Sequence, residues 1–113
     1  MRVRAKQGVN DHVFDEFDHQ TLTPGKCYDV IELNPHSYRL YDDQADLCLH
    51  PHYLFDVVDA SIPSHWVEEV YDDGEIYRGP REFMAPGFWE RFHDRDPVAR
   101  DIVFRYLREH GLQ

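Results

Sequence analysis

This chain is poor in cysteine and in basic residues, and it has no long apolar run. Two cysteines in 113 residues, Cys27 and Cys48, are too few for a disulfide scaffold. No apolar stretch approaches the roughly 20 residues of a membrane helix. The opening MRVRAKQGVNDH has no apolar segment of the kind a secretory signal needs. These absences lead us to expect a cytoplasmic protein with free thiols and no membrane contact. Lys plus Arg number 12 against 22 acids, giving a formal net charge of −10. Such a field repels phosphate backbones, so nucleic acid is not an expected partner; it speeds encounter with a basic protein. The strip Arg2, Arg4 and Lys6 is too small to reverse that. Hydrophobic residues make up 42% of the chain and aromatics 14%, so a folded core is expected. The length suits one domain.

Met1, Val3 and Ala5 alternate with Arg2, Arg4 and Lys6, which predicts a short strand with a basic outer face. A long acidic connection from Gly8 to Lys26 follows. It ends in the Pro24-Gly25 turn signal and carries Phe14 and Phe17 to hold it to the body. Short β-like runs come next: Cys27–Leu33, Ser37–Tyr41, Leu47–His50 and Leu54–Val58, separated by turn compositions and by Pro51. Strands twice removed lie about 9–10 Å apart. A disulfide needs Cα atoms within about 7 Å, so Cys27 and Cys48 are expected to stay unpaired.

The second half changes character. Ser61–Trp66 reads as a linker with a tryptophan anchor. Trp66 to Gly79 reads as a hairpin turning at Asp72-Asp73-Gly74. Phe88, Trp89 and Phe92 stand at helical spacing. The clearest helix follows: Asp96 suits the N-cap, Pro97 the first helical position and Gly111 the C-terminal stop. Its apolar stripe is Val98, Ile102 and Tyr106 with Val103 and Leu107.

A long first loop, a three-strand meander and a Pro-containing single turn before a last strand resemble an SH3-like barrel over residues 1–59. The resemblance implies a mainly β fold with C-terminal α: a barrel on which a hairpin and one or two short helices (60–113) pack, all within one domain. Peptide-binding SH3-like domains use an acidic first loop and a Pro and Tyr before the last strand. Asp15, Glu16 and Asp18, and Pro51 and Tyr53, occupy those places here, which implies polyproline recognition as one alternative. A second resemblance covers Pro63, Trp66, Tyr71, Asp73, Gly74, Tyr77, Gly79, Pro80, Glu82, Phe83 and Gly87 to Glu90. This pattern is similar to the tail of uncharacterised bacterial proteins of similar length and brings no activity with it.

Cys48, His50 and His52 look like a metal site. On a strand, however, alternate residues share a face, so Leu47 and Leu49 are expected inward and Cys48 and His50 outward, with no metal required. Zinc would need further ligands, such as His36 or His65. Asp72-Asp73-Gly74-Glu75 fails as a calcium loop because its twelfth residue is Phe83. No HExxH helix and no nucleophile elbow occur. Tyr38, Tyr41, Tyr53, Tyr71 and Tyr77 are too many to fill one small core, and aromatics among acids suit a protein interface. The function expected is a non-enzymatic acidic module that binds or regulates a basic protein. An inhibitor or immunity-type protein is its most specific form, and no cofactor is expected. Phe14, Asp15, Glu16, Asp18, Tyr41 and Tyr53 are the expected binding residues. The competing class is a metal-assisted enzyme or zinc-binding protein using Cys48, His50 and His52.

Overall fold

The computed structural model describes residues 1–8 and 22–112. The first strand, β1 (Arg2–Ala5), follows the expected alternation, with Val3 and Ala5 fully inside and Arg2 and Arg4 outside. It pairs antiparallel with β2 (Cys27–Leu33) on one edge and with β5 (Phe55–Asp59) on the other. β2 continues through β3 (Ser37–Tyr41) into β4 (Leu47–Pro51). The path therefore runs β4-β3-β2-β1-β5. No β4–β5 pairing closes it among the described residues, so this part is an open sheet rather than a closed barrel.

Local chemistry explains the corners. Asp42 ends β3, and its Oδ1 accepts from the Gln44 and Asp46 amides at 2.9 and 3.2 Å. Those bonds fix the turn and let Ala45 adopt φ 59°. Pro51 leads into a 3-10 turn at His52–Leu54, and Leu54 is fully buried.

The two strands β6 (Trp66–Val70) and β7 (Ile76–Pro80) form the expected hairpin, with Val70 opposite Ile76 and Gly74 at φ 85° in the turn. The hairpin joins the sheet where Arg78 pairs with Leu33. α1 (Phe88–His93) and α2 (Pro97–Glu109) follow. Asp96 Oδ2 accepts from the Ala99 amide at 3.1 Å, and Pro97 occupies the first turn. At the other end the Leu112 and Gly111 amides donate to the carbonyls of Leu107 and Arg108, a Schellman closure around Gly111 at φ 65°. The fold is thus mainly β with C-terminal α. No helix among the described residues is long and apolar enough to cross a membrane.

Two cores lie on opposite faces of the central strands. Val3, Tyr28, Val30, Tyr38, Leu40, Leu54 and Phe55 fill the first. Ile31 and Leu47 from the sheet meet Phe83, Phe88, Phe92, Val103 and Leu107 in the second. Burying one such side chain contributes about 1.5–3 kcal/mol. Because β3 lies between the two cores, Tyr38, Arg39 and Leu40 are all buried in succession.

Three expectations change here. Val98 is 67% exposed, and α2 rests instead on Ala99, Val103, Tyr106 and Leu107. His50 is 2% exposed rather than outward, and its ring meets that of Phe55 edge-on at 6.4 Å. Tyr38 is a core residue, not a surface aromatic.

Candidate functional site

Of the six expected binding residues, Phe14, Asp15, Glu16 and Asp18 lie outside the described residues. Tyr41 packs half-buried against the second core. Tyr53 is 49% exposed. The two tyrosines belong to opposite ends of the β3–β4 pair. Tyr41 stands opposite Leu47, whereas Tyr53 lies just beyond Pro51, the partner of Ser37. About 13 Å of strand separates those ends.

The Cys48, His50 and His52 side chains take separate roles. Cys48 Sγ donates to Asp46 Oδ2 at 3.2 Å. Burial, then the Asp46 carboxylate, pushes its thiol up to about 12. At neutral pH, with no metal bound, it is held as the thiol. His50 Nε2 lies 3.7 Å from Asp42 Oδ2 inside the sheet. The His52 ring lies against Tyr38, centroids 4.2 Å apart. Among the described residues, no three His, Cys, Asp or Glu side chains are grouped so as to hold a metal ion. Cys27 and Cys48 are unpaired.

A different place brings chemistry together: a cleft of about 390 Å³ between β2–β3, the β6–β7 hairpin and the segment leading into α1. Its floor is a buried ion pair. The β2–β3 register shifts between Val30 and Glu32. Such an irregularity re-aims side chains, and Val30, Ile31 and Glu32 are all buried in succession. Glu32 is 5% and Arg39 7% exposed, with Arg39 Nε 3.8 Å from Glu32 Oε1. The Trp89 indole donates through Nε1 to Glu32 Oε2 at 3.0 Å. The Arg39 guanidinium lies over the same indole, 3.9 Å from its centroid, and donates through Nη1 to the Leu47 carbonyl. Burial raises the Glu32 carboxyl, against the opposing pull of Arg39 and of hydrogen bonds from Trp89 and Asn34. Burial likewise lowers Arg39 from its usual value, opposed by Glu32. The pair is therefore costly to keep charged, and each member holds the other in that state.

The walls come from residues distant in sequence. Tyr71 and Tyr77 flank the hairpin turn with ring centroids 4.6 Å apart. Burial, followed by Glu75 and Tyr71, raises the Tyr77 hydroxyl. Glu75 meets His36 Nε2 at 3.3 Å on the rim. Gly79 allows the hairpin to lie close: a Cβ there would stand 3.0 Å from Glu32 Cγ and 3.3 Å from Met84 Cε. Among the described residues, three carboxylates line the cleft (Glu32, Glu75 and Glu90), against one guanidinium, that of Arg39. Sequence reasoning missed this site. The available signal was the tail pattern, since Tyr71, Tyr77, Phe83 and Gly87 to Glu90 all line it.

Compared with family models, with curated proteins and with solved structures, the chain shows no match.

Proposed function

We propose that this protein is a non-enzymatic acidic module whose cleft receives a basic segment of a protein partner. The observation that carries this reading is the lining of the cleft. Half-exposed Tyr71 and its neighbour Tyr77 supply aromatic surface, and Glu75 and Glu90 supply negative charge beside it. Tyrosine is enriched among the few residues that carry most of the energy in protein interfaces, while charge acts on encounter. The chain's net charge of −10 draws a basic partner and disfavours nucleic acid. A small inhibitor of a basic protein is the specific form this role takes. A cytoplasmic setting accompanies it, in keeping with two unpaired cysteines.

Calorimetric titration with a short peptide of mixed Lys and Arg tests the reading. Binding should weaken steeply with salt, and Glu75→Lys with Glu90→Lys should abolish it. Binding indifferent to both would contradict the proposal.

A further inference from the structure

The cleft holds one feature that narrows the kind of basic group it takes, and this inference rests on the basic-segment reading above. Asn34 follows β2 and is 8% exposed. Its backbone N–H donates to the Ser37 carbonyl at 2.9 Å, and the residue is part of the cleft lining. The side-chain Oδ1 is buried and has no hydrogen-bond partner among the described residues. A buried acceptor left unpaired is unfavourable, so a donor delivered to it gains more than one exchanged with water. Glu32 differs, because its carboxylate already accepts from Trp89 and from the Asn34 side chain and stands beside the Arg39 charge.

We propose that the cleft is a socket for an arginine side chain. A guanidinium offers five N–H donors in a planar fork and no acceptor. That matches a site lined by Asn34, with its buried and unpaired Oδ1, by Glu75 and Glu90, and by the paired rings of Tyr71 and Tyr77. Planarity lets the group stack on a ring while its edge donates to oxygens, which a lysine ammonium cannot do. The protein already contains such an arrangement, since Arg39 lies on Trp89 beside Glu32. Because Glu32 balances Arg39, Glu90 and the Glu75 carboxylate, whose Oε1 meets only the exposed His36 ring among the described residues, are there to attract an incoming cation.

The test uses the whole protein and three small probes followed by ¹H–¹⁵N NMR: N-acetyl-arginine amide, its lysine counterpart, and the citrulline counterpart, which keeps the shape without the charge. Arginine amide should shift the Trp89 indole and the Asn34 side-chain amide saturably. Lysine amide should bind about fivefold more weakly, the difference of roughly one good hydrogen bond. Citrulline amide should not bind. Asn34→Leu should reduce arginine to the lysine level, and half-exposed Tyr71→Ala, which disturbs no core, should weaken both cations. Equal arginine and lysine binding in the cleft would overturn the arginine assignment and leave the basic-segment reading standing. Shifts confined to other surfaces, equal citrulline binding, or no binding by any probe would overturn both.

Discussion

Arg39 on β3 lies over the Trp89 ring of α1, its guanidinium carbon 3.9 Å from the centroid, and this contact ties the sheet to the helical layer. The same indole donates to Glu32, so one aromatic side chain holds both members of a buried ion pair. Removing one member leaves the other charged and unpaired, which costs about 3–5 kcal/mol. Arg39→Met should therefore destabilise by about that much in urea unfolding, and adding Glu32→Gln should restore part of it. A loss under about 1 kcal/mol for Arg39→Met, or no coupling between the two, would show that the pair does not hold the layers together.

Gly79 gives a steric prediction. Its backbone runs against Glu32 Cγ and Met84 Cε, with about 3 Å available to an added Cβ. Gly79→Ala should cost about 1–3 kcal/mol, since overpacking shifts neighbouring side chains and backbone. Part of that cost should disappear in the Met84→Ala background. Gly79→Ala with unchanged stability would mean that the hairpin does not approach as closely as described.

A pH effect follows from the contact between the β5–β6 linker and α2. His65 Nε2 lies 2.7 Å from the Tyr106 hydroxyl, which also accepts from Trp66 Nε1 at 3.3 Å. His110 stacks on His65 at 4.5 Å, and Arg81, Glu82, Arg105 and Glu109 line the same depression. Burial, and then the neighbouring His110, lower His65 from its usual value, against a smaller opposing effect of Glu82. The unfolded chain therefore holds more protons here than the folded one once the pH falls below about 6.5. This contribution to stability is present at neutral pH and lost on acidification. Urea unfolding at pH 7.5 and 5.5 should show a larger acid loss for the natural chain than for His65→Asn. Equal losses would remove His65 from the account.

Cys48 and its histidine neighbours give a prediction about metal and thiol chemistry. With its thiol pushed up to about 12, Cys48 holds almost no thiolate at pH 8. In a Cys27→Ser background, a disulfide reagent should react with native Cys48 on the order of a hundredfold more slowly than with the unfolded chain. A chelator should leave the melting temperature unchanged, because a structural zinc would contribute several kcal/mol. A large chelator-induced drop would restore the metal reading of Cys48, His50 and His52.

Much of the fold was legible because its signals are local. Alternation marked β1, turn chemistry at Asp42 to Asp46 and at Gly74 separated the strands, and Asp96, Pro97 and Gly111 bounded α2. The errors arose where burial comes from two directions. Alternation sorts residues only when one face is wet, and β4 has cores on both sides, so His50 could be inside without breaking the pattern. On α2 the stripe was displaced because Ala99, a small residue with little hydrophobic signal, is the contact, while Val98 in the first turn faces solvent. The cleft was not legible as a site. Glu32, Arg39, Tyr71 and Trp89 come from β2, β3, the β6–β7 turn and α1: the β2–β3 register sets Glu32 opposite Arg39, Trp89 docks on both, and the β2–β7 pairing at Leu33 and Arg78 brings the hairpin to them.

The most direct test of the central claim is a ¹H–¹⁵N NMR map of the natural chain titrated with a short mixed Lys/Arg peptide at low salt. If the cleft receives a basic segment, shifts should concentrate on the Trp89 indole, on Tyr71 to Tyr77 and on Asn34 to Ser37, and Glu75→Lys with Glu90→Lys should remove them without unfolding the protein. Shifts spread evenly over the acidic turns at Asp42 to Asp46 and Asp56 to Asp59, with none at the Trp89 indole, would contradict the account and leave the acids as a solvated surface alone.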